Sequence, residues 1–112
     1  MDKVLFYAMT GEKMCFLHIL LNAISLNENG VETKIIFEGA SVKLVSVFEE
    51  EKNPLYLKAK GLGLIAGICF ACSKTLGVFE KNNSYGIKML DDMSGHAGML
   101  DYSLEGYKII SI

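Results

Sequence analysis

The segment Cys69-Phe70-Ala71-Cys72 carries the clearest chemical potential in this chain, which has three cysteines and two histidines among 112 residues. An apolar strand ends there and a helix begins. Cys72 then falls in the first helical turn, where free N–H groups favour thiolate over thiol. A thiolate is the form that attacks a sulfur donor and holds a persulfide. Cys69 closes the strand. From that position it can resolve an oxidised or persulfidated Cys72, or simply pack in the core. Thioredoxin-like redox work would want a proline-rich partner loop, and Pro54 is the single proline.

His96 follows Ser94-Gly95 at the start of the last expected helix. Its imidazole can donate to a bound anion or to a thiolate across a cleft, or bond locally. Gly39 and Ser41 lie in a loop ahead of a helix and can shape an anion-binding turn; a plain turn is the simpler role for Gly39. Cys15 and His18 stand one helical turn apart. With Cys69 and Cys72 they would make four zinc ligands of a familiar type. Leu17, Leu20 and Leu21 mark that helix face as core, so no metal is expected. No cofactor is expected either, because the chain lacks a G-x-G-x-x-G, a Walker sequence and a nucleophile elbow. Asp91 and Asp92 are adjacent, point to opposite sides and do not pair as acid and base.

These residues need a frame, and the pattern supplies one by alternating strand and helix, the signature of βαβ units. Strands are expected at Val4 to Met9, Val31 to Phe37, Leu64 to Cys69, Ile87 to Leu90 and Tyr107 to Ile112. Glu12 to Asn29 reads as a helix with Phe16, Leu17, Leu20, Leu21 and Ile24 on one side, stopped by Asn29-Gly30. Short helices follow at Val42 to Phe48 and from Pro54, capped by Asn53, to Gly61. Further helices are expected from Ala71 to about Lys81, with Cys72, Leu76 and Phe79 on one face, and from Ala97 to Glu105, with Leu100 and Leu104 inward. In parallel sheets ligands bind beyond the carboxyl ends of the strands. The loops there run from Met9 to Glu12, Glu38 to Ser41, Cys69 to Cys72 and Asp91 to His96, and they hold the special residue types.

Composition excludes several classes. Hydrophobic residues make up 51% and charged residues 21%, a balance that builds a core. No composition break divides the chain, so residues 1–112 read as a single domain. All eleven basic residues are lysine and the net charge is −2. Without arginine or a basic block, nucleic acid is not an expected partner. The opening Met1 to Tyr7 reads as a strand rather than a signal peptide. No apolar run approaches the roughly 20 residues of a membrane span. An odd number of cysteines fits reduced thiols in a cytoplasmic protein.

Gly67-Ile68-Cys69-Phe70-Ala71-Cys72-Ser73 resembles the cysteine segment of the DsrE/DsrF-like proteins. So do Met93-Ser94-Gly95-His96, Leu100 and Glu105-Gly106-Tyr107-Lys108-Ile109-Ile110 with the closing strand. The first strand, the long first helix and the Glu38-Gly39 turn also fit, so the likeness spans nearly the whole chain. It implies a three-layer α/β/α domain with a five-stranded, mostly parallel sheet, assembled into homotrimers or hexamers. It further implies a sulfur-handling protein in which Cys72 carries sulfane sulfur as a persulfide between donor and acceptor proteins. His96 and Ser41 would then come close to Cys72, with strand three between strands two and four. The alternative is a non-catalytic oligomeric module that binds a small anion or a partner protein in the strand-end cleft.

Overall fold

Strand β1 (Lys3–Ala8) is the most buried strand, because it has a neighbour on either side and layers over both faces. The computed structural model describes residues 2–112. Its sheet has five strands in the order β4-β3-β2-β1-β5, with β2 (Glu32–Phe37), β3 (Ile65–Cys69), β4 (Met89–Leu90) and β5 (Lys108–Ser111). Every pairing is parallel. The expected α/β architecture and parallel sheet are therefore present, and β3 lies between β2 and β4.

Parallel neighbours require crossovers, and crossovers are right-handed. The steps β1 to β2, β2 to β3 and β3 to β4 all go the same way, so their helices share one face of the sheet. On that face α1 (Lys13–Glu28) packs on α3 (Pro54–Gly61), α3 on α2 (Leu44–Glu50), α2 on α5 (Phe79–Asn83), and α5 on α4 (Phe70–Thr75). The step from β4 to β5 runs back across the whole sheet. Its helix, α6 (Leu100–Leu104), belongs to the opposite face.

The core lies under the larger layer. Phe16 of α1 stacks on Phe37 of β2 with centroids 4.6 Å apart, and Phe48 and Tyr56 extend the aromatic cluster. The helix at Pro54 starts as expected: the Asn53 side chain accepts from the N–H groups of Leu55 and Tyr56. On α1, Phe16, Leu20 and Ile24 are buried, whereas Leu21 faces solvent.

Two helices depart from expectation. The helix expected from Ala71 to Lys81 is broken into α4 and α5, because Gly77 adopts φ +73° and ends the first piece. Leu76 is left exposed beside the break. The helix expected from Ala97 to Glu105 is cut to Leu100–Leu104. Leu100 and Leu104 do not face inward: they are 66% and 77% exposed. Ala97 is held instead by Glu38 and Tyr7 at the strand ends, and Gly98 donates to Asp92 within its own segment. Among the described residues, no helix is long and apolar enough to cross a membrane.

Candidate functional site

The segment from β4 to α6 crosses the carboxyl ends of β3, β2 and β1, and three fixed contacts set its path. The Ala71 N–H donates to the Gly95 carbonyl (2.8 Å), tying the segment to the start of α4. The Ala97 N–H donates to Oε2 of Glu38 (3.2 Å), just past β2. The Ala97 carbonyl lies 2.7 Å from the Tyr7 hydroxyl on β1. Between these anchors Met93 and His96 exchange backbone hydrogen bonds around Ser94-Gly95, both at positive φ. This tight turn aims the His96 ring down at the strand ends.

Beneath that ring four side chains converge. His96 Nδ1 is 3.3 Å from Cys69 Sγ, 3.4 Å from Cys72 Sγ and 3.6 Å from Glu38 Oε1. The Cys72 thiol donates to Glu38 Oε1 at 2.6 Å. All four atoms lie within 4.8 Å of one another. Cys69 and Glu38 are buried, Cys72 is half-buried, and the His96 side chain is 44% exposed. The site is therefore a buried sulfur and a buried carboxylate beneath a thiol and an imidazole that solvent can reach.

Glu38 is the residue the sequence did not single out. It caps the 3₁₀ turn at Gly39–Lys43, its Oε1 accepting the Gly39 N–H at 2.9 Å. Its Oε2 lies within 3.1 Å of the Tyr7 hydroxyl. A buried carboxylate with this many donors remains ionised, and the hydrogen bonds hold it below the usual carboxylate range despite desolvation. Tyr7 is the second omission; burial and the Glu38 charge push its phenol up. The available signal was an acidic residue ending an apolar strand immediately before a glycine.

The remaining candidates divide. Gly39 sits at φ +58°, a left-handed conformation that suits glycine, and donates its N–H to Glu38 Oε1. Ser41 does not line the site. It is fully buried, with its hydroxyl 2.7 Å from the Ala8 carbonyl and 2.8 Å from that of Glu38. It fixes the turn that carries Glu38 and Gly39. Cys15 and His18 are exposed on α1 and stand outside the cluster, so the fourfold set with Cys69 and Cys72 does not form. Asp91 and Asp92 border a separate cleft of about 300 Å³ between β4 and α6.

The electrostatics reverse one expectation. The Cys72 thiol is pushed up to about 12, first by burial and then by its hydrogen bond to Glu38, against a smaller opposing pull from the Gly39 N–H. Cys69 is raised as well, chiefly by burial, although the Cys72 N–H donates to its sulfur at 3.3 Å. The helix-start amides are outweighed by burial and then by the carboxylate hydrogen-bonded to the sulfur.

The chain is 32% identical over 96 residues to the uncharacterized protein MJ0733 of Methanocaldococcus jannaschii, a match spanning 86% of this chain and 78% of that one. No family model matches the chain, and no solved structure matches it.

Proposed function

This chain belongs to the same family as MJ0733, and from the surroundings of Cys72 we propose that it handles sulfur, carrying it as a persulfide on that residue. The observation that carries the reading is the 2.6 Å contact between the Cys72 thiol and Glu38. A nucleophilic sulfur held in place by an oriented side chain is the positioning that covalent catalysis needs. Here Tyr7, Gly39 and Ala97 orient the Glu38 carboxylate.

The step is an exchange. Glu38 holds the Cys72 thiol through its hydrogen bond as a donor persulfide, R–S–SH, reaches the half-buried sulfur. Cys72 attacks the outer sulfur as the donor S–S bond breaks, and the Cys72 proton passes to the released thiolate. The products are Cys72–S–SH and R–SH, with no net oxidant or reductant. Passing sulfur to an acceptor thiol is the same exchange in reverse. The raised thiol keeps Cys72 protonated at rest, so the proton transfer accompanies donor binding. The reading places the chain in a reducing cytoplasm, which agrees with three free cysteines.

Intact-mass measurement after incubation with a low-molecular-weight persulfide tests it. One added sulfur, mapped to Cys72 and absent from Cys72→Ser, is expected. No added sulfur, or sulfur on Cys15 instead, overturns the reading, as does undiminished loading of Cys72→Ser.

A further inference from the structure

Three ligand types of borderline-soft metals meet in the same cluster: two sulfurs, one imidazole nitrogen and one carboxylate oxygen. We infer that Cys69, Cys72, His96 and Glu38 form a tetrahedral site for a divalent ion of the zinc class. The inference does not rest on the sulfur reading and stands or falls apart from it.

The geometry carries the argument. Ligands at zinc bond lengths of about 2.0–2.3 Å span tetrahedral edges of about 3.3–3.8 Å. The His96 nitrogen stands 3.3 Å and 3.4 Å from the two sulfurs and 3.6 Å from the carboxylate oxygen. One ring nitrogen can form only one good hydrogen bond, yet three candidate ligands surround it at nearly equal range. Such an arrangement fits a common centre better than a hydrogen-bond network. The 2.6 Å thiol–carboxylate contact opens by about 1 Å when sulfur and oxygen share a cation instead of a proton.

The supporting shell has the same character. Cys69 and Cys72 have the two-residue spacing of a chelating pair, with the Cys72 N–H already donating to the Cys69 sulfur. Glu38 is fixed through its second oxygen by Ala97 and by the shared Tyr7 hydroxyl. Outer-shell hydrogen bonds of this kind orient ligands and tune affinity. A cation also resolves the charge problem of the site, because it replaces the thiol protons beside an ionised carboxylate. Two thiolates and an imidazole select zinc-class ions over magnesium or calcium. Four protein ligands leave no open position, so a bound ion occupies Cys72 and shields it from thiol reagents.

Cobalt(II) is the probe, added to reduced full-length protein. One equivalent per chain is expected to give visible d–d absorption together with thiolate-to-cobalt charge-transfer bands, both erased by zinc. Cys69→Ser and Cys72→Ser should each weaken binding by more than about 100-fold, exceeding the usual loss for an outer-shell partner. His96→Ala removes a half-exposed side chain and leaves the core intact, so it tests the site without risk to folding. It should also lose the spectrum of the full ligand set. Excess zinc should slow alkylation of Cys72 at least tenfold and leave Cys15 unchanged. Absence of the charge-transfer bands, an unchanged spectrum and affinity in His96→Ala or Glu38→Gln, or loss of binding in Cys15→Ser would each overturn the assignment. Sulfur loading of chelator-treated protein is scored separately, so failure of either reading is seen without the other.

Discussion

The Cys72 thiol donates a hydrogen bond of 2.6 Å to Glu38, a residue 34 positions earlier in the chain. That contact joins the end of β2 to the start of α4 and, after burial, raises the thiol. Thiolate is scarce at neutral pH because the raised thiol loses its proton only near pH 12. Alkylation of chelator-treated protein at Cys72 should therefore rise about tenfold for each pH unit between roughly pH 8 and 11. Glu38→Gln removes the charge and lowers the thiol, so labelling at pH 8 should rise at least about tenfold. Peptide mapping of the alkylated sites gives both rates.

Asn82 ties α5 to α4 and to the 3₁₀ turn after β2. Its fully buried amide donates to the Val42 carbonyl (2.9 Å) and to Ser73 Oγ (3.2 Å). Asn82→Ala leaves both acceptors without their partner and should cost about 1–3 kcal/mol. Urea denaturation followed by circular dichroism measures the loss.

Gly67 lets β4 approach β3. A methyl group there would meet Leu90 Cγ at 2.5 Å and the Lys88 carbonyl at 2.7 Å. The carbonyl belongs to the backbone that pairs with Ile68, so it cannot swing aside as a side-chain end would. Gly67→Ala should destabilise by about 1–3 kcal/mol through overpacking. It should also disturb Cys69, two residues on, which is visible as faster Cys69 labelling.

Alkaline pH should weaken the fold. Burial and a neighbouring carboxylate raise the phenols of Tyr56 and Tyr7, beside Glu49 and Glu38 respectively. An unfolded tyrosine titrates near about 10. Above that pH the unfolded chain has released protons that the folded chain still holds, so stability falls as pH rises. Urea midpoints should drop between about pH 9 and 11, and Tyr56→Phe should flatten the slope.

A homo-oligomer of three or six chains is the assembly expected from the family resemblance, and we propose that the protein forms one. Exposed Leu100 and Leu104, on a helix with no buried residue, are an apolar surface of the kind that subunits cover. Light scattering at low micromolar concentration should return a multiple of three chains, and a mass of one chain would sink the proposal.

The sheet was legible because its strands are short apolar runs between turn residues, and Asn53-Pro54 announced its helix through local chemistry alone. Cys69, Cys72 and His96 were legible as types at strand ends. Glu38 was harder to see, since its meaning comes from Tyr7 and Ala97, which stand 31 and 59 residues away. Leu100 and Leu104 share a helical stripe, but spacing defines a stripe without saying whether anything covers it. Cys15 and His18 fit a ligand spacing for the same reason and face solvent.

The crossing segment also has a consequence for the chain as it leaves the ribosome. Glu38, Cys69 and Cys72 emerge before His96 and Ala97, since His96 follows Cys72 by 24 residues. Until then the two thiols lack their imidazole neighbour, and Glu38 lacks the Ala97 N–H that steadies it. The nascent protein passes through a window in which its cysteine pair is made but not yet roofed. In that window the thiols are most open to stray oxidants, and the arrival of His96 and Ala97 brings it to an end.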